Sequence, residues 1–389
     1  MAYTTPTVNY STTINGTYTS LTGIQSVSIS RGRQRFDDNF AGNTCVVDLI
    51  PATTYATALA IGQFIDVRTT NASGSAAYFV GTITDIDRKY EIPYNTSTTY
   101  APADRIRITA TGTTGILGKS TEVSYTLISQ SCTANILAAS IANGCYVPYL
   151  YLNDSPTFSS NATLTNIGTL DLVNGLLRTC QYFVDDIDNS RSNATGYNHT
   201  GGTFSPGVSN TSYTFSDAGT VGAYKFSDLQ YQSTVLNTFT EAQVAPTGLA
   251  TQSATTGVAP FNTLVYNTYN NTTADAANLA SYIISLQSIT TAVPFSITTN
   301  TMAASTCTDL SVLTTTSAYT GSGVTVNLGA AVTVIFRGTT VTAQIQGINT
   351  TFYPDYATVQ LFLSPSLGTP FTLDSSAFGV LDANRLGYP

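Results

Sequence analysis

Residues 329–348, GAAVTVIFRGTTVTAQIQGI, decide the fold. Val332-Thr-Val334 and Val341-Thr-Ala-Gln-Ile345 place apolar residues at every second position, and Arg337-Gly-Thr339 between them reads as a tight turn. That is the period of a strand whose two faces meet different surroundings. An earlier stretch repeats the pattern. Gly62 leads into Ile65-Asp-Val67, and a polar turn from Thr69 to Ser75 leads to Phe79-Val-Gly-Thr-Ile-Thr-Asp-Ile86. Aligned, Phe79 meets Val341, Gly81 meets Ala343, Ile83 meets Ile345 and Ile86 meets Ile348. Each copy closes with an Asp-led alternating strand, Asp104-Arg-Ile-Arg-Ile-Thr-Ala110 in one and Asp355-Tyr-Ala-Thr-Val-Gln-Leu-Phe-Leu363 in the other.

Working outward, Ile24–Ile29 and Asn43–Leu49 add two further strands before the first hairpin, on either side of a basic turn. The expected architecture is mainly β with an α+β insert: two similar small antiparallel β-barrels flanking a mixed middle domain. Residues 1–22, polar and aperiodic, read as an extended N-terminal arm. The first barrel spans 23–118 and the middle domain 119–245, with an exposed Asn-, Ser- and Gly-rich loop at 185–214. A helix plus the second barrel occupy 246–389. Helical spacing marks Thr126–Asn143 (stopped by Gly144), Leu170–Phe183 despite Gly175, and the stretch from Thr272 and Thr273, which offer N-caps, to Leu286. Tyr224 to Leu236 reads as a strand returning to the second barrel.

Composition narrows the function. Of 389 residues only 9% are charged, against about 25% in an ordinary soluble domain. Fourteen Lys and Arg face twenty-two Asp and Glu, a formal net charge of −8, and the only lysines are Lys89, Lys119 and Lys225. A phosphate-neutralising face is therefore excluded, as is a long Glu/Lys-rich bundle. A mean hydropathy of +0.08 argues for a folded chain. The start, MAYTTPTVNYSTT, has neither the basic nor the apolar region of a signal peptide, and no apolar run is long enough to span a bilayer. The five cysteines (Cys45, Cys132, Cys145, Cys180, Cys307) are odd in number and widely spaced, which favours buried free thiols.

Catalytic patterns are sparse. His199, the single histidine, sits in a Gly- and Asn-rich loop without a nucleophile or metal-ligand pattern around it. Asp185, Asp186 and Asp188 form a carboxylate cluster, but the twelfth position counted from Asp186 is Tyr197, where an EF-hand needs Glu. Twenty-four tyrosines would suit a sugar groove, yet the chain has no Trp to stack on one. No catalytic, metal or cofactor site is expected. The one basic cluster is Arg31, Arg33 and Arg35, followed at once by Asp37 and Asp38. That neighbourhood favours ion pairing, within the chain or with a partner subunit, over nucleic-acid contact.

The stretch GIQSVSISRGRQRFDDNFAGNTCVVDLI, followed by IGQFIDVRTT and YFVGTITDIDRKY, resembles the N-terminal barrel of minor tail proteins and baseplate hub proteins of long-tailed bacteriophages. GAAVTVIFRGTTVTAQIQGINTTFYPDYATVQLFLSP resembles their closing hairpins and FTLDSSAFGVLDANRLGYP their tail end. The likeness covers roughly 23–118 and 272–389. One departure is Ala330, where the family usually has an acidic residue after the glycine of the turn. The resemblance implies a structural, non-enzymatic virion subunit of the tail tip, made in the host cytoplasm. It also implies a homotrimer whose two barrels per chain give a pseudo-sixfold ring on a hexameric tail tube; one tube-docking barrel per chain would instead give a hexamer. Partners would be the tail tube and other tail-tip proteins, with DNA only as passing cargo along an acidic lumen. A receptor- or carbohydrate-binding module of the same particle, using the 185–214 loop, is the alternative.

Overall fold

The structure, a computed structural model, describes residues 5–12, 17–51, 58–71, 74–90, 105–127, 163–181, 183–187, 201–205, 209–218, 220, 223–232, 239–256, 262–287, 293–301 and 328–365, with isolated positions between 134 and 142. Its first strands are β1 (Thr7–Ser11), β2 (Thr19–Ser20), β3 (Ile24–Gly32), β4 (Thr44–Leu49), β5 (Phe64–Asn71), β6 (Gly74–Lys89) and β7 (Arg105–Thr111). Then come α1 (Thr113–Leu117), β8 (Thr121–Thr126), β9 (Thr163–Gly168), α2 (Thr169–Cys180), β10 (Phe183–Ile187), β11 (Gly201–Ser205), β12 (Ser209–Ser216) and β13 (Asp228–Gln230). The last are β14 (Glu241–Pro246), β15 (Gln252–Thr255), β16 (Thr263–Thr268), α3 (Thr273–Gln287), β17 (Ser296–Asn300), β18 (Ala330–Phe336), β19 (Thr339–Phe352) and β20 (Ala357–Pro365).

The internal repeat is real, and the strand registers show it. Ile65 lies opposite Gly81 and Val67 opposite Phe79; at the equivalent positions Val332 lies opposite Ala343 and Val334 opposite Val341. Both long strands carry a bulge at the same place, with Thr84 extra between Ile83 and Asp85 and Gln346 extra between Ile345 and Gly347. A bulge inserts one residue and bends the strand, so a shared bulge marks a shared bend. Gly62 and Gly329 both adopt positive φ (88° and 79°). Each donates its N–H to the carbonyl just before the bulge, Gly62 to Ile83 at 2.9 Å and Gly329 to Ile345 at 2.8 Å. Gly81 departs from its counterpart Ala343 because a Cβ there would lie 2.4 Å from the Thr111 carbonyl oxygen and 2.6 Å from the Phe79 ring.

Neighbouring strands extend the equivalence to six per copy. The first unit runs β3-β4-β7-β6-β5-β1 and the second β13-β17-β20-β19-β18-β12. Their sixth strands differ in direction: β1 is antiparallel to β5, whereas β12 is parallel to β18. The first core holds Val8, Val27, Val47, Ile65, Phe79 and Ile108; the second holds Phe215, Ile297, Val332, Ile345 and Leu361. Alternation of these residues with Ser, Thr and Asn puts one face of each strand in a core.

Several expectations change. The strands are not closed into two barrels: among the described residues both units belong to one thirteen-stranded sheet. The reason is β19, fourteen residues long, whose second half pairs with β3 of the first unit instead of closing its own. The N-terminal arm contributes β1, with Val8 and Tyr10 buried, a Thr-Val-Asn-Tyr alternation too short to stand out. The 185–214 interval contains the end of β10, the whole of β11 and most of β12, in which Tyr213 and Phe215 show the period of a strand. The interval 119–245 thus lends β12 and, as expected from Tyr224–Leu236, β13 to the second unit. The proposed helix 126–143 lies largely outside the described residues.

Two helices form where expected. Thr272 caps α3: its Oγ1 accepts from the Asp275 N–H at 3.1 Å and donates to Asp275 Oδ2 at 2.8 Å. Instead of joining the second unit, α3 packs on the three-stranded sheet β15-β14-β16 through Ala276, Leu279, Ala280 and Ile283. Gly175 sits inside α2 because a Cβ would fall 2.5 Å from the Tyr269 ring. Thr179, one turn on, donates to the Gly175 carbonyl and accepts from the Tyr269 N–H at 2.9 Å. Gly175→Ala is therefore expected to lower stability by about 1–2 kcal/mol despite alanine's better helix propensity. Chemical denaturation checks this, with Tyr269→Leu in the same chain expected to restore most of the loss.

Candidate functional site: the arginine loop at the seam

The three arginines follow the seam between the two units. Along it β19 runs antiparallel to β3, with Gly347 opposite Gly32, Ile348 opposite Arg31 and Phe352 opposite Val27. Both glycines are required by close backbone approach. A Cβ on Gly32, whose φ is 77°, would lie 2.4 Å from the Gln346 carbonyl oxygen, and one on Gly347 would lie 2.3 Å from that of Arg33. The chain leaves β3 here because Arg33 N–H donates to the Gln346 carbonyl at 2.9 Å.

Side chains then lock the loop. Arg33 Nε donates to Gln346 Oε1 at 2.9 Å, and its guanidinium lies 4.5 Å from the centre of the Phe40 ring. Gln346 is the bulge residue of β19, and its Nε2 donates to Ser364 Oγ of β20 at 2.7 Å. Burial pulls the Arg33 guanidinium down to about 10, with Tyr266, Asp37 and Asp38 opposing that shift. It therefore stays charged at neutral pH. Burial also pushes the Asp37 carboxyl up. Arg35 pairs with Asp38, whose carboxylate accepts the Arg35 backbone N–H at 2.9 Å and lies 3.8 Å from Nε.

The rest of the loop reaches two further elements. Asn174 of α2 clamps the Phe40 backbone, accepting its N–H at 2.9 Å and donating to its carbonyl at 3.0 Å. Tyr266 of β16 donates to the Phe36 carbonyl at 3.2 Å, while Arg178 lies over the Tyr266 ring at 4.9 Å. Phe36 itself enters the core beneath α3. The loop from Arg33 to Asn43 thus ties both six-stranded units, α2 and the β14–β16 unit together.

Placement separates the three arginines. Arg31 is 3% exposed, whereas Arg33 and Arg35 are half-buried. The Arg33 guanidinium, held by Gln346, the Asp38 carbonyl and the Phe40 ring, offers no open cradle to a phosphate. Asp185 and Asp186 lie on β10, whereas Asp188 and His199 lie outside the described residues. No group of three or more His, Cys, Asp or Glu able to hold a metal occurs among the described residues. Cys45 is buried and free, and burial pushes its thiol up. Sequence reasoning missed Gln346, Asn174 and Tyr266; nothing in their local sequence links them to residues 31–40.

No family model and no curated protein matches the chain by sequence. Solved structures do match its fold. A tail protein from Neisseria meningitidis has a TM-score of 0.57 at 11% identity, covering 93% of this chain and 96% of its own. The 43 kDa tail protein of prophage MuSo2 from Shewanella oneidensis has a TM-score of 0.54 at 11% identity, covering 92% and 98%. A component of the E. coli type VI secretion system, described as structurally similar to the T4 bacteriophage tail proteins gp27 and gp5, has a TM-score of 0.50 at 10% identity, covering 93% and 78%.

Gln346→Leu is expected to cost about 2–3 kcal/mol, since it removes a buried acceptor from a charged guanidinium. A denaturant midpoint shift without a change in slope checks it. Combining Gln346→Leu with Arg33→Met, which also removes the buried charge, should recover more than half of the loss. With these contacts in place, the chain has the fold of the tail proteins it is similar to, with Arg33 bonded across the seam between its two units.

Proposed function

We propose that this chain is a structural, non-enzymatic subunit of a bacteriophage tail, placed at the tail tip or baseplate hub. There it forms the ring that closes or continues the tail tube and lets DNA pass on ejection. The observation that carries this reading is the internal duplication. Two six-stranded units of one strand order in one chain supply two similar faces per copy, so three copies supply six to a hexameric tube. The fold likeness to phage tail proteins supports the same reading.

The composition suits the role. Low charge lowers the desolvation cost of burying Thr- and Tyr-rich surface between copies. The acidic excess, −8 per chain, is placed toward the channel, where it repels the DNA backbone. Of the arginine cluster, Arg33 and Arg35 retain exposed surface with which to meet a neighbouring copy, whereas Arg31 is 3% exposed. No helix among the described residues is long and apolar enough to cross a membrane. The subunit is made in the host cytoplasm and resides in the virion.

Native mass measurement of the purified chain, followed by counting its copies around the axis of a tail-tip density map, tests the proposal. Three copies per ring are expected. Six copies would mean that one unit per chain docks on the tube. A monomer without affinity for tube protein would refute the ring.

A further inference from the structure

The shared sheet has a second face, opposite the cores. Eight of its strands follow one another as β13-β17-β20-β19-β3-β4-β7-β6, and their registers carry single rows of side chains across the seam. Thr299, Val359, Thr350, Ile29, Cys45 and Ala110 form one such row on the core side, each at most 4% exposed. One residue along, on the opposite face, the row reads Thr298, Gln360, Asn349, Ser30, Thr44 and Thr111. Ser30 and Thr44 are exposed and the other four are half-buried. The next row on that face reads Thr358, Thr351, Ser28, Val46 and Thr109, all half-buried. Ser28 Oγ and Thr351 Oγ1 lie 3.2 Å apart across the seam.

Val46 is the one hydrocarbon in these two rows, and neither row carries a charge. Charges begin at their ends and beyond. Asp228 lies opposite Thr298 and Asp85 opposite Thr109, both exposed. In the following row Asp48 holds Arg107 through two bonds of 2.8 and 3.2 Å, with Asp87 on the other side of that arginine. Arg105 and Lys89 stand opposite each other one row further out.

This chemistry selects the occupant. A stable protein partner is held by a desolvated apolar or aromatic centre, and these rows offer Val46 alone. A nucleic acid that stays bound needs cations against its phosphates, and the rows that cross the seam have none. Hydroxyls and amides bonded to water suit a surface along which a hydrated polyanion moves, and Asp228 and Asp85 add repulsion at its two ends. We propose that this face lines the passage of the ring, and that its occupant is duplex DNA in transit, which it neither grips nor stops. The lining works by lacking cations over a band that spans both units, instead of by a continuous acidic wall. The inference rests on the ring proposed above and names the surface inside it.

Size-selective labelling of the full-length chain tests the placement. Ser30→Cys and Thr44→Cys, each at an exposed position, are reacted with a small maleimide and with one carried on a globular protein too wide to follow duplex DNA. Labelling is read above the background of the parent chain's own cysteines. In the dilute, unassembled chain both reagents should react. In the assembled ring the small reagent should still react and the carrier-bound one should be lost. Reaction with both in the ring would put the face outside, and reaction with neither would bury it between proteins; either result overturns the lining and leaves the ring standing. A chain that native mass shows to be monomeric throughout overturns the ring and the lining together. Thr109→Cys repeats the test should the first variants perturb folding. The parent ring is also expected to retain no duplex DNA at low salt, and salt-sensitive retention would overturn the non-gripping surface.

Discussion

The architecture depends on one strand doing two jobs. β19 pairs through its first half with β18 and through its second half with β3, and the change of partner occurs at the Gln346 bulge. An extra residue there bends the strand away from its own unit. Gly32 and Gly347 then let the backbones of the two units approach more closely than any Cβ would allow. Without the bulge and the two glycines, the second unit has no reason to hand its edge to the first.

Having joined the units by main-chain bonds, the protein reinforces the joint with a half-buried cation. Arg33 costs desolvation, and Gln346, the Asp38 carbonyl and the Phe40 ring offset part of that cost. Such a group specifies a geometry more than it adds stability, because its donors accept few alternatives. The same loop fixes α2 through Asn174 and the β14–β16 unit through Tyr266. Its role is positional: the units, and the edges they present outward, are held at one relative orientation.

Duplication explains why so many features recur in pairs. The positive-φ glycines, the N–H bonds that follow them and the bulges all coincide between copies, although few residues are shared. The copies diverge at Gly81, where a Cβ would strike the Thr111 carbonyl and the Phe79 ring, against Ala343 in the second copy.

Strand period, the repeat, the caps of α3 and the acidic, lysine-poor surface were legible in the residues, because each rests on contacts within a few positions or on composition alone. The β1 and β12 strands escaped notice because short polar alternations look like loops until a partner buries them. The fate of Arg31, Arg33 and Arg35 was not legible either. Their spacing announced charge, whereas the placement of Arg33 depends on Gln346, more than three hundred residues away, and that of its loop on Asn174 and Tyr266. Local sequence determined which segments become strands and that two sets of them are alike. Only the tertiary structure decided that the sets share one sheet instead of closing separately. A strand's second edge is chosen by whatever long-range partner satisfies its backbone groups, and local sequence does not encode that choice.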